Sequence, residues 1–306
     1  MNPNPCPPPS GHFARPTALS ALGLGCVTFG REIDRTAAFA MMNHAAASGM
    51  TTFDTAAAYA DGDSERIVGE WLAAHRGARA GLTLATKLLP PYAADRLAQG
   101  VGESLSRLGT DYLDLLFLHQ WDESALNPAT LMALDTLVRS GRVRALGASN
   151  FSAEQLAQII DRQSAAGYAP IYALQNIHNL AVRGFDDSLR ELCARCGIAL
   201  IGYSPLGAGF LTGKHRVGVA PGSRFAIIPG HQAIYFNPAA QRRLGRLEAA
   251  AKRTGLPMAH LALAWALHQP QLSTVLVGGR NPAQLDQALA AQRFNDPALF
   301  RELANE

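Results

Sequence analysis

A single-domain (β/α)8 barrel, the TIM-barrel fold, is what this sequence predicts, and three observations predict it. Eight short apolar runs alternate with helix-like segments, polar side chains capable of chemistry stand where several runs end, and no Ser/Gly-rich linker divides the 306 residues. The runs are Leu22 to Cys26, Thr51 to Asp54, Leu82 to Thr86, Leu113 to His119, Val143 to Ala148, Ala173 to Gln175, Ala199 to Gly202, and Thr274 to Val277.

The segments between them carry helix signals. Leu97, Val101, Leu105 and Leu108 recur at helical spacing, with Asp95 placed to cap the first turn and Gly109 to end the helix in the left-handed conformation. Asn127 before Pro128, and Asn281 before Pro282, each set a capping side chain ahead of a proline at the first helical position. Ser152 and Gln155 have capping-box spacing, which starts a helix just after Asn150. From Pro205 to about Asn237 the chain is rich in Gly and Pro with little periodicity, and a loop of that length in a compact domain is commonly functional. Residues 1–17 read as a Pro-rich, extended or disordered tail, leaving 18–306 for the barrel.

Composition narrows the partners. A formal net charge of +3 with no basic block gives no reason to expect nucleic acid or an anionic membrane, and no apolar run approaches the roughly 20 residues of a membrane span. The N-terminus has too many prolines for a signal or transit peptide. Cys6, Cys26, Cys193 and Cys196 form no disulfide framework, so a reducing, cytoplasmic setting is expected. Cys193 and Cys196 have the spacing of a redox or zinc pair, but they lie in a helical stretch without a second pair or a histidine cluster, and no metal is expected. Gly23, Gly25 and Gly30 lack the spacing of a dinucleotide fingerprint and read as a tight βα turn. A small molecule is the expected partner; oligomeric state is not encoded legibly.

Asp54, Tyr59, Lys87 and His119 fall at or just beyond the ends of runs two to four, and each is a residue type that hydride transfer to a carbonyl requires. A tyrosine phenol, ordinarily with a pKa of about 10, becomes a better acid beside the ammonium of Lys87. Asp54 would keep that lysine charged, and His119 could hydrogen-bond the oxygen on which charge develops. Singly, each has a plainer reading: a structural tyrosine, a rim ion pair, a satisfied histidine. Together they interlock.

At this point the chain resembles the aldo-keto reductases. FDTAAAYADGDSERIVGEWL is similar to the family signature, ATK and LHQWD resemble the segments carrying its lysine and histidine, and GASN, LQNIHNL, YSPLGAGFLTGK and VGGRNPAQLD resemble its cofactor segments, in order from about Leu19 to Ala290. The resemblance implies a barrel that binds a nicotinamide dinucleotide without a Rossmann domain, NADPH usually and NAD as a second possibility. It implies a catalytic tetrad of Asp54, Tyr59, Lys87 and His119, with Tyr59 the proton donor. Ser149, Asn150 and Gln175 match residues that hold the nicotinamide carboxamide, and Tyr203 the ring that stacks on it. Ser204, Leu206 and Gly207 open the long loop where backbone amides could approach the pyrophosphate. Gly279 precedes Arg280, the candidate for the adenosine 2′-phosphate, and Gln284 matches a neighbouring contact. Phe29, Trp121 and Asp122 are candidates for the substrate pocket. Two departures stand out: Ala60 follows Tyr59 where relatives have glycine, and Ala288 replaces an asparagine that contacts adenine.

The expected activity is reversible reduction of an aldehyde or ketone, with hydride from the nicotinamide and a proton from Tyr59. Two alternatives are a cofactor-sensing binding subunit with little turnover, and a lyase forming a Schiff base on Lys87.

Overall fold

The computed structural model describes residues 18–305; the Pro-rich segment 1–17 lies outside them. Eight strands, β1 (Leu22–Gly25), β2 (Thr52–Asp54), β3 (Thr83–Leu88), β4 (Leu113–Leu118), β5 (Val143–Ser149), β6 (Ile171–Ile177), β7 (Ala199–Tyr203) and β8 (Leu272–Val277), pair in parallel in sequence order, and β8 closes on β1. The expected barrel is therefore present, with its strand edges abolished by closure. Six helices follow the first six strands: α1 (Arg35–Ala47), α2 (Asp63–Ala74), α3 (Ala94–Leu108), α4 (Pro128–Arg139), α5 (Ala153–Ala166) and α6 (Asp187–Cys196). The long connection after β7 holds short turns α7 (Arg224–Ile227) and α8 (Gln232–Tyr235), then α9 (Pro238–Thr254) and α10 (Met258–Leu267); α11 (Pro282–Gln292) and α12 (Pro297–Ala304) complete the chain.

Most helix ends form as their side chains dictate. Ser152 and Gln155 make both arms of the capping box, Asn127 accepts from the amide of Ala129, Asn281 from that of Gln284, and Gly109 closes α3 at φ +62°. Asp95 does not cap α3. The cap residue is Ala93, without a side-chain bond, and Asp95 lies in the first turn, where its charge still favours the positive helix end.

Two apolar compartments hold the barrel together. The larger lies between strands and helices, with Phe53, Trp71, Leu84, Leu116, Leu174 and Trp265 among its buried members. The smaller fills the lumen: Ala85, Leu115, Phe117, Ala145, Ala173, Ile201 and Leu276. Phe117 needs Gly147 on the next strand, since a β-carbon there would stand 2.3 Å from its ring. Gly23 serves the same packing: a β-carbon would meet Leu276 at 2.7 Å, so it is a lumen residue, and of the three N-terminal glycines Gly30 alone makes the expected turn, at φ +74°.

Strand side chains alternate in and out, so the lumen set fixes where the chemistry points. Continuing the inward positions Ala85, Leu115 and Phe117, Ala145, Ala173 and Ile201 by one more step reaches Lys87, His119, Gly147 with Ser149, Gln175 and Tyr203. The candidate residues are the uppermost rungs of the same ladder that fills the core.

Candidate active site

At the C-terminal mouth, Lys87 is the central group. Its ammonium donates to Asp54 Oδ1 at 2.5 Å, to the Thr55 carbonyl at 2.9 Å and to the Tyr59 hydroxyl at 3.4 Å, so its three protons have three acceptors. Lys87 is 1% exposed and Asp54 4%. Burial alone would depress the ammonium's pKa, but Asp54 and Tyr59 outweigh it and raise the value, so Lys87 is charged. An ammonium so held is a poor Schiff-base nucleophile, which counts against the lyase alternative.

Tyr59 corrects one step of the sequence reading. Burial pushes its pKa up from the usual value of about 10 more strongly than Lys87 draws it down. The lysine moderates the shift without reversing it. Tyr59 therefore keeps its proton at neutral pH and can deliver it to an oxygen gaining charge. His119 packs edge-on against the Tyr59 ring with centroids 5.7 Å apart. Its pKa falls to about 3 through burial and the charge of Lys87, so it is a neutral donor or acceptor, not an acid. Its Nδ1 is buried without a protein partner.

A layer behind these groups fixes the strand ends. The Thr55 hydroxyl shares a 2.8 Å bond with Ser64, which donates to the Cys26 carbonyl, while Thr86 donates to Glu65, itself paired with Arg107 at 2.6 Å. Ser64 and Glu65 open α2, so one helix start grips the ends of β1, β2 and β3. The cysteine Cys26 is fully buried and its thiol is held protonated by burial.

The residues expected at the nicotinamide lie together beside this corner. Gln175 approaches Asp54 Oδ2 at 2.9 Å. A carboxylate only accepts, so the amide nitrogen faces Asp54 and Oε1 is left for another donor. Ser149 is buried and accepts from Asn150 Nδ2 at 3.1 Å; Asn150, at φ +61°, also donates to the His119 carbonyl and accepts from the Tyr203 hydroxyl at 2.7 Å. The tetrad and the carboxamide candidates thus form one hydrogen-bonded surface.

Toward the far rim the backbone turns repeatedly into the left-handed region, at Ser204, Gly207, Ala208, Gly209 and Gly213, and the amides of Gly207, Gly209 and Gly213 donate within the turn to the carbonyls of Ser204, Leu206 and Phe210. Leu206 is half-buried at the head of that turn. Arg280 donates to the Gly222 carbonyl at 2.8 Å, Gln284 Oε1 accepts from the Arg280 amide at 2.7 Å, and Gly279 accepts from Thr28 at 2.9 Å. Ala288 is buried on the inner side of α11, where it offers no hydrogen bond.

Two features escaped the sequence reading. Lys214, inside FLTGK, lies close enough to Arg280 that burial and that charge depress its pKa, and neither cation has a carboxylate partner among the described residues. Arg224 of the long loop reaches Glu32 at 2.7 Å, and Arg31 shares the same carboxylate at 2.8 Å, which ties the loop across the mouth to the β1–α1 connection. A contact between positions 192 residues apart has no local signal. FLTGK could have flagged Lys214.

The expected pocket walls divide. Trp121 is half-buried and meets Phe151 edge-on at 5.2 Å, and Asp122 caps the turn Glu123–Leu126 by accepting from Ser124, which lowers its pKa. Phe29 is fully buried with its backbone bridged to Ile33, so it cannot face a ligand. Among the described residues, no His/Cys/Asp/Glu group could hold a metal ion. Cys193 is a free thiol, pushed up to about 12 by burial, and Cys196 is disulfide-bonded, which departs from the expectation of a wholly reduced chain.

An eight-stranded barrel with Asp54, Tyr59 and Lys87 gathered at its mouth defines an oxidoreductase that moves hydride and proton between a nicotinamide and a carbonyl. The chain belongs to the aldo/keto reductase family, whose model matches residues 21–298. It is 31% identical over 304 aligned positions to Protein tas of Escherichia coli, covering 87% of this chain and 88% of that protein. An aldo-keto reductase of Alternaria alternata is 30% identical over 293 positions, 85% of this chain and 78% of the relative. A probable voltage-gated potassium channel subunit beta of Arabidopsis thaliana is 29% identical over 293 positions, 89% and 87% of the two chains.

Proposed function

We propose that this protein is an NADPH-preferring reductase of small aldehydes or ketones, acting in the cytoplasm, with Tyr59 as proton donor. The observation that carries the reading is the three-way grip on the Lys87 ammonium, which leaves the Tyr59 hydroxyl as its longest and most yielding contact. As charge gathers on a carbonyl oxygen, Tyr59 gives up its proton and the phenolate formed is stabilised by Lys87, whose charge Asp54 maintains. His119, neutral and edge-on to the Tyr59 ring, orients that oxygen. The nicotinamide supplies the hydride when bound.

The residues fit such a cofactor. Gln175 has a carbonyl oxygen to offer its carboxamide, Ser149 and Asn150 stand alongside, and the Tyr203 ring flanks the same place. Gly207 and Gly209, without side chains, let the pyrophosphate approach the backbone of the turn from Ser204 to Gly209 closely. Lys214 and Arg280, two cations without a carboxylate, suit the 2′-phosphate, with Gly279 and Gln284 shaping that end. This last feature favours NADPH over NADH.

Fluorescence titration with NADPH and NADH, followed by a carbonyl panel, tests the reading. Arg280→Ala should weaken NADPH by about tenfold, the worth of one charge-assisted hydrogen bond, and leave NADH nearly unchanged. Equal losses for both would move the 2′-phosphate contact elsewhere.

A further inference from the structure

The strand that leads to His119 stops just short of it. β4 closes at Leu118, and the His119 amide still donates to the Leu88 carbonyl at 3.0 Å. Beyond that the ladder fails for a covalent reason. A parallel neighbour would answer the His119 carbonyl with an amide at position 90, and Pro90 has no N–H. That carbonyl accepts instead from the side chain of Asn150 at 3.1 Å, and Gln120, past the end of β4, has no strand to serve its own backbone.

Tyr92, on the connection between β3 and α3, serves it. Its hydroxyl donates to the Gln120 carbonyl at 2.7 Å and accepts from the Gln120 amide at 3.2 Å, so one side chain stands in for a neighbouring strand. The ring is fully buried, and burial pushes its pKa up to about 12, so the hydroxyl keeps the proton that the first bond needs. The main chain of Tyr92 faces the same way. Its amide donates to Ser124 Oγ at 2.8 Å, and its carbonyl accepts from the Thr130 hydroxyl at 2.5 Å. Hydroxyl, amide and carbonyl are thus all spent on the segment that follows β4, and the hydroxyl falls on the residue next to His119.

Building on the reductase reading, we propose that Tyr92 is a positioning residue for His119: by clasping Gln120 it fixes the angle at which the imidazole meets the substrate's carbonyl oxygen. Its influence passes through the backbone of one residue. Tyr92→Phe keeps the buried ring and removes only the clasp. It should lower kcat/KM for carbonyl reduction by about tenfold, because small displacements of a group at the reacting centre are costly, while NADPH affinity changes by less than about twofold. A double-mutant cycle separates positioning from general loosening. In a His119→Ala background the same substitution should change kcat/KM by less than about twofold, since no imidazole is left to misplace. An undiminished loss in that background, or no loss in the wild-type one, overturns the proposal.

A readout without cofactor or carbonyl keeps this inference apart from the reductase reading. In NMR of the unliganded protein the imidazole signals of His119, whose pKa is lowered to about 3 by burial and by Lys87, should stay constant from neutral pH down to about 5. With the clasp gone the ring gains access to water, and its pKa should rise by about one unit or more, so that protonation begins to show near pH 5. An unchanged His119 titration in Tyr92→Phe, with only the thermal midpoint lowered, would make Tyr92 a purely structural tyrosine and refute the role. A His119 that responds to Tyr92→Phe in a protein reducing no carbonyl would refute the reductase reading and leave the clasp standing.

Discussion

The two ends of the barrel each bury an ion pair, and they use it differently. At the floor, Asp114 at the start of β4 is fully buried and receives Arg79 at 2.7 Å, Arg144 at 2.8 Å and the Leu84 amide at 3.0 Å, while Tyr112 lies between the two guanidinium groups at 3.8 and 3.9 Å. Every charge there is answered. At the mouth, Lys87 and Asp54 are as deeply buried, but their circle includes a long 3.4 Å contact to Tyr59. A closed set of contacts stabilises a fold, and an open one can accept a ligand. Barrels commonly divide stability and catalysis between these two ends.

The largest expected effect breaks the mouth alone. Tyr59→Phe removes the transferable proton and should lower kcat by about 10² to 10⁴-fold, the usual worth of a general acid, while cofactor affinity and thermal midpoint change little. Steady-state kinetics beside a cofactor titration would check it. Unchanged turnover would take the acid's role away from Tyr59.

Next in size is the floor. Asp114→Ala leaves Arg79 and Arg144 without their shared carboxylate and the Leu84 amide without its acceptor, so it should cost about 3 to 5 kcal/mol of stability. Urea denaturation reads the loss. Turnover per folded molecule should stay at the wild-type level, and a selective fall in kcat would mean that floor and mouth are coupled.

Acid should find the mouth side first. His119 and His178, just past the ends of β4 and β6, both have pKa values lowered to about 3, by burial first and by neighbouring cations second. Their folded values lie below the unfolded value of about 6.5, so the unfolded chain takes up protons first. The stability tied to their neutral forms is complete above pH 6.5 and is lost as pH falls from there toward 3, by at most about 1.4 kcal/mol per pH unit for each histidine. Denaturation midpoints at pH 7, 6 and 5 would show the trend, and His178→Gln should flatten it. A flat profile in the wild type would mean that neither imidazole is kept neutral by folding.

The same contrast explains what the sequence made legible. Strand order, most helix caps and the four catalytic candidates follow from local patterns: period-2 alternation carries Lys87 and His119 to the inward side, and short capping motifs begin α4, α5 and α11. Phe29 looked available because position along the chain reports nearness to a strand end, not which way a ring turns. The direction of the Tyr59 shift was misjudged because pairwise charge is readable from residue types and burial is not. The Arg224–Glu32 tie and the closeness of Lys214 to Arg280 depend on how the long loop folds back, which no periodicity records.

The smallest effect sharpens the picture of the mouth. Ala60, directly after Tyr59, has φ +48° and ψ +44°, a left-handed conformation that costs an L-residue about 1 to 2 kcal/mol. The alanine stands where relatives have glycine, and the backbone holds it in the conformation that favours glycine. Ala60→Gly relieves the strain but gives the unfolded chain more freedom, worth about 0.5 to 1 kcal/mol in the opposite direction. The net should be a gain of no more than about 1.5 kcal/mol, measurable by urea denaturation. Because the Tyr59 hydroxyl is also held by Lys87, kcat should change less than about twofold. A larger fall in kcat with stability unchanged would show that the alanine, and not the lysine alone, sets the angle at which the phenol meets its substrate.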